Sequence, residues 1–106
     1  MNNQEVAATI LSQLGGNKFK VMTGAKNFNY SSEGQAFLAF QIGRNASKAN
    51  MVRIEYDEAR DLYNFVFLKF SMKTGLKELE RSNGVYCDQL REIFTRYTGL
   101  YTSLAG

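Results

Sequence analysis

Four carboxylates crowd the stretch EYDEARD: Glu55, Asp57, Glu58 and Asp61. Clustered carboxylates are what hold magnesium or calcium. A two-metal nuclease, however, needs carboxylates that converge from separate strands. These four belong to one turn and interleave with Arg53 and Arg60, so they read as solvated turn chemistry. The glycines of QLGGNKFKVMTGAKNF, residues 13–28, raise a second possibility, a phosphate-cradling loop. A P-loop requires glycine, lysine and Ser/Thr in fixed order before a helix. Asn27 stands where the hydroxyl belongs and no helical pattern follows, so that reading fails. Cys87 is the single cysteine and the chain has no histidine. A nucleophilic thiol has no imidazole base here, and neither a disulfide nor a multi-thiolate metal site can form within the chain. Cys87 is expected to be a small, buried, unreactive hydrophobe. No enzyme activity, cofactor or metal site is expected from this inventory.

The remaining chemical signal is basic and aromatic residues in alternation: Lys18, Phe19 and Lys20; Lys26, Phe28 and Tyr30; Tyr63, Phe65, Phe67, Lys69 and Phe70. A sheet that shows aromatic rings beside lysines can stack bases and neutralise phosphates, as single-strand binders do. On this reading Lys18, Lys20, Lys26 and Arg44 neutralise phosphate, and Phe28, Tyr30 and Tyr63 offer stacking surfaces. The bland alternative is that eight phenylalanines and six tyrosines are the core of a helix-covered sheet. A net charge of +3 favours a polyanion only weakly.

The elements that must position these residues follow from periodicity. Val6, Ile10 and Leu14 form the stripe of a helix from Asn3 to Leu14, which Gly15 and Gly16 stop. KFKVMT alternates like a half-buried strand, with Phe19, Val21 and Thr23 on one side. GAKNFNYSSEGQ reads as turn, AFLAFQI as a strand buried on both faces, and MVRIEY and LYNFVFLKF as further strands. KTG closes a hairpin into a short strand around LKELE. A last helix opens at Ser82 or Asn83 and carries Tyr86, Leu90, Ile93 and Tyr97 until Gly99. The expected fold class is α+β, an antiparallel sheet of four or five strands flanked by an N-terminal and a C-terminal helix. In LYNFVFLKF, Tyr63, Phe65, Phe67 and Lys69 share one face, while Leu62, Val66, Leu68 and Phe70 share the other. If helices cover the aliphatic face, the aromatic one needs another partner.

At 106 residues the chain fits one domain, 1–106. No apolar run approaches the roughly 18 residues of a membrane span. The segment MNNQEVAATI has no basic, apolar export pattern, so a cytoplasmic protein without a membrane partner is expected.

The blocks QLGGNKFKVMTGAKNF, VYCDQL and TGLYTSL resemble a family of small bacteriophage and prophage proteins of uncharacterised function, with similarity from about Leu11 to Leu104. Where those relatives carry an apolar residue after NKF, this chain has Lys20. The resemblance implies a setting inside a bacterial cell and no activity. Two functions are compatible with all of this: a nucleic-acid-binding accessory protein, with single strands favoured, or an interaction module that binds and inhibits a host defence or replication protein. Leu100, Tyr101 and Leu104 leave an apolar tail that a homodimer would bury.

Overall fold

Asn2 caps the first helix in both directions: its side chain accepts from Glu5 N–H at 2.8 Å, and the Glu5 carboxylate accepts from Asn2 N–H at 3.4 Å. In the computed structural model, which describes residues 2–102, this helix is α1 (Asn3–Leu14). It buries Val6, Ala7, Ile10 and Leu14, and Gly15 ends it, as the stripe and the glycine pair predict. Leu104 of the apolar tail lies outside the described residues.

KFKVMT departs from the expected strand and forms a second helix, α2 (Asn17–Thr23). Gly16 and Gly24 bracket it at φ 62° and 71°, values that suit glycine and turn the chain sharply at both ends. Within it Phe19 and Thr23, four residues apart, are buried, whereas Val21 is 82% exposed. Six alternating residues fit either period. The two glycines and the burial of Phe19 decide for the helix.

Five strands follow: β1 (Lys26–Tyr30), β2 (Phe37–Gln41), β3 (Met51–Asp57), β4 (Leu62–Ser71) and β5 (Gly75–Val85). They pair antiparallel in chain order. β1 occupies the segment expected to be a turn. β5 runs through Ser82 and Asn83, the expected helix caps, because Arg81 and Ser82 are laddered to Val66 and Phe65 of β4. A 3-10 turn (Cys87–Gln89) then leads to α3 (Leu90–Thr98), which buries Leu90, Phe94 and Thr98 and leaves Tyr86 outside the stripe. The α+β class stands: an N-terminal and a C-terminal helix pack on a five-stranded antiparallel sheet.

The helices cover the aromatic face. Phe65 and Phe67 stack at 4.7 Å, and Phe67 stacks on Tyr97 of α3 at 4.1 Å. Phe19 sits edge-on to Phe40 of β2 at 5.4 Å and to Phe94 of α3 at 5.0 Å. The overall thickness of 22 Å matches one sheet and one helix layer.

On the opposite face, Val66 lies in register between Arg53 and Arg81. Glu55 bridges them, at 3.0 Å from Arg53 Nε and 3.1 Å from Arg81 Nη1, and Arg81 Nη2 also meets Glu78 at 3.0 Å. Arginine stems and this ion-pair row roof Val66, which is fully buried with no helix above it.

The register of α2 is open to test. Phe19→Ala should cost about 3–5 kcal/mol in chemical denaturation. Val21→Ala should change stability by no more than about 0.5 kcal/mol. Comparable losses at both positions would restore the strand reading.

Candidate nucleic-acid interface

All seven lysines fall on elements that meet at one end of the sheet. Lys18 and Lys20 belong to α2, whose last residue, Thr23, accepts from Gly43 N–H at 3.3 Å through its carbonyl. Lys26 opens β1 opposite Gln41. Lys48 and Arg44 lie in the connection from β2 to β3, and Lys69, Lys73 and Lys77 on the β4–β5 hairpin. Among the described residues every ion pair uses arginine and none uses lysine. The opposite end is acidic: Glu33 in the β1–β2 connection, Asp57, Glu58 and Asp61 at the β3–β4 turn, and Glu5 in the first turn of α1.

The connection carrying Arg44 and Lys48 is held firmly. Asn45 Nδ2 donates to the carbonyls of Gly43 and Ala49, both at 2.9 Å, and its Oδ1 accepts from Ser47 N–H at 2.8 Å and from the Ser47 hydroxyl. Ala46 N–H donates to Thr98 O at 2.8 Å and ties the loop to the end of α3. Local Asx-type bonding thus fixes the backbone and leaves both cations exposed.

The basic residues read from sequence therefore come together, but on helix, strand end and loop rather than on one sheet face. Lys20 Nζ lies 5.1 Å from the centroid of Phe28, a cation–π contact that holds the cation at this end. Phe28 is half-buried and packs against Phe40 at 5.1 Å. Tyr30 is exposed but at the far end of β1, opposite Leu38. Tyr63 must be corrected: it is 6% exposed beneath α1 and offers no face to a base. The aromatic alternation in β4 marks core. Sequence reasoning left Lys48, Lys69, Lys73 and Lys77 out of the site, and for Lys69 and Lys77 the signal lies in the antiparallel register, which brings them directly opposite each other.

The acidic end holds a different arrangement. Glu55 leaves the carboxylate turn for the ion-pair row, and among the described residues no three Asp, Glu or Cys side chains group to hold a metal ion. The Tyr56 hydroxyl donates to Asp61 Oδ1 at 2.7 Å. That bond, reinforced by desolvation, pushes the Tyr56 phenol up to about 12. Burial also pushes the Tyr63 phenol up, partly opposed by Gln13. Both tyrosines line a cleft of about 470 Å³ between α1 and the β3–β4 turn, with Cys87 also on its wall. Cys87 is exposed, contrary to expectation, because it lies in the 3-10 turn and not on the buried stripe of α3.

With its proton committed to Asp61, Tyr56 makes the folded chain bind more protons than the unfolded chain between pH 10 and about 12. Its contribution to stability is present below that window and is lost as pH rises through it. Asp61→Asn retains a side chain that tolerates the positive φ of 53° but removes the charge. Alkaline titration followed by phenolate absorbance should show one tyrosine moving from about 12 toward its ordinary value of 10 in this variant. Identical curves would remove the hydrogen bond.

Comparison with protein-family models, with curated proteins and with solved structures gives no match, so any functional reading of this interface rests on its own residues.

Proposed function

We propose that the chain is a non-enzymatic accessory protein of phage type that binds nucleic acid through its lysine-bearing end, by contact with the sugar-phosphate backbone. The observation that supports this is the segregation of all seven lysines at one end, none of them ion-paired among the described residues. Unpaired cations gathered on one side of a domain set up a field that a net charge of +3 understates. Phosphate contact requires no aromatic platform, so the burial of Tyr63 leaves it intact. With the phage resemblance, the setting of this role is the host cytoplasm.

A module that binds a host protein, or a homodimer, has less to build on. The aromatic face expected to need a partner lies under helices, and Arg53, Glu55, Arg81 and Glu78 roof the middle of the other.

Binding should be saturable and salt-sensitive. If three to five phosphates are neutralised, the logarithm of the affinity for a labelled single-stranded oligonucleotide should fall against log salt with a slope of roughly −2 to −3.5. Lys20→Gln with Lys26→Gln should make the slope shallower by about 1.4. Glu58→Gln, at the acidic end, should leave it unchanged. Absence of binding at low salt would overturn the proposal.

A further inference from the structure

The β4–β5 hairpin outruns the rest of the sheet. β3 pairs with β4 as far as Leu68, opposite Met51; from Lys69 to Lys77 only β4 and β5 pair with each other. Asn50 braces the base of this ribbon, donating from Nδ2 to Phe70 O at 2.9 Å and accepting from Phe70 N–H at 2.8 Å. The Ser71 hydroxyl accepts from Lys73 and Thr74 N–H at 3.1 and 3.3 Å and orders the turn, which Gly75 closes at φ 73°. The ribbon is thus built and aimed.

Its side chains violate two rules of stability at once. Lys69 lies directly opposite Lys77, a like-charge cross-strand pair, with Lys73 at the tip. No carboxylate among the described residues is ion-paired with any of the three, and neighbouring Glu78 is held by Arg81, which keeps its carboxyl below the usual range. On the other face Phe70 pairs with Leu76 at 47% and 53% exposure, and Met72 at the turn is 91% exposed. Large apolar side chains and unpaired cations alternate over nine residues. A ligand that relieves both must be anionic and must offer apolar contact beside its charges.

We infer that this ribbon is a groove-entering arm for duplex nucleic acid, with Lys69, Lys73 and Lys77 on flanking phosphates and Met72, Phe70 and Leu76 against sugars and base edges. The inference rests on the nucleic-acid reading above. A two-stranded ribbon is of a width that the major groove, about 12 Å across, accepts. Apolar wedges of Met, Phe and Leu are likewise used against the minor groove. Shape favours a grooved partner over an anionic membrane. The strand part of the ribbon stands about 10 Å beyond the last β3 pair, three residues at roughly 3.4 Å. A flat surface touching Met72 would therefore miss Lys26, whereas a groove about 8.5 Å deep admits the ribbon and brings a backbone ridge to the lysines at its base.

Fluorescence anisotropy on a 20-base-pair random-sequence duplex, on one of its strands alone, and on phosphatidylserine-containing vesicles separates the outcomes. The duplex should bind more tightly than the single strand. Met72→Ser, an exposed change checked for folding by circular dichroism, should weaken duplex binding roughly tenfold, the loss expected of one apolar side chain that becomes buried. It should leave single-strand binding unchanged. Lys69→Gln with Lys77→Gln should make the duplex salt slope shallower by about 1.8 and should raise thermal stability as the like-charge pair is removed. Equal binding of duplex and single strand, unaffected by Met72→Ser, overturns the arm while leaving the lysine-bearing end in place. Met72-dependent vesicle binding without duplex preference overturns it in favour of a membrane. Loss of all nucleic-acid binding at low salt overturns both readings.

Discussion

The constraint on which the rest of this structure depends is the side of β4 that carries Phe65 and Phe67. Two phenylalanines stacked on one face of a strand cannot be left to water, and α3 answers them with Tyr97 while Phe94 and Phe19 extend the cluster to Phe40. Burying three fully enclosed rings such as Phe19, Phe67 and Phe94 is worth several kcal/mol. Once the helices are committed to this face, the other must be finished without them. Side chains of its own strands do so, with Arg53 and Arg81 lying either side of Val66 and Glu55 between them.

This division also sorts the cations by type. A guanidinium presents several donors in one plane, so Arg81 engages both Glu55 and Glu78 while its stem covers apolar surface. Lysine, a compact charge on a flexible stem, is absent from that row and found on α2, near strand ends and in loops. The sheet consequently has an acidic end and a basic end, although the formal charge of +3 hints at neither.

Much of the fold was legible in the sequence because its signals are local. The stripe Val6, Ile10, Leu14 and the glycine pair fix α1, and the alternation of MVRIEY fixes β3. What failed were signals that two structures share. Alternation over six residues does not separate α2 from a strand, and Ser82 and Asn83 are good caps that β5 runs through, Ser82 in register with Phe65, since pairing with β4 outweighs a local preference. The site was legible in composition and illegible in place. Lys18, Lys20, Lys26 and Arg44 do gather, but the aromatics read with them do not form a platform beside them: Tyr63 belongs to the core, Phe28 packs half-buried against it, and Tyr30 is exposed at the other end of β1. Alternation states that a strand has two faces without stating which one the helices take.

Consistency between local rules and global fold is the mark of a chain that specifies one structure. Here α1 is capped at both ends, the buried rings meet edge to face or stacked, and the buried Glu55 is paired twice. Against that background the β4–β5 hairpin is the conspicuous exception, with a like-charge cross-strand pair, a side chain as apolar as Met72 in water, and a turn ordered nonetheless by Ser71. Its disorder would have relieved the repulsion at little cost to the core, because Lys69 and Phe70 are exposed residues outside the buried cluster. Asn50 instead holds Phe70 at both backbone groups, so the hairpin is kept ordered where the stability of the fold gains least.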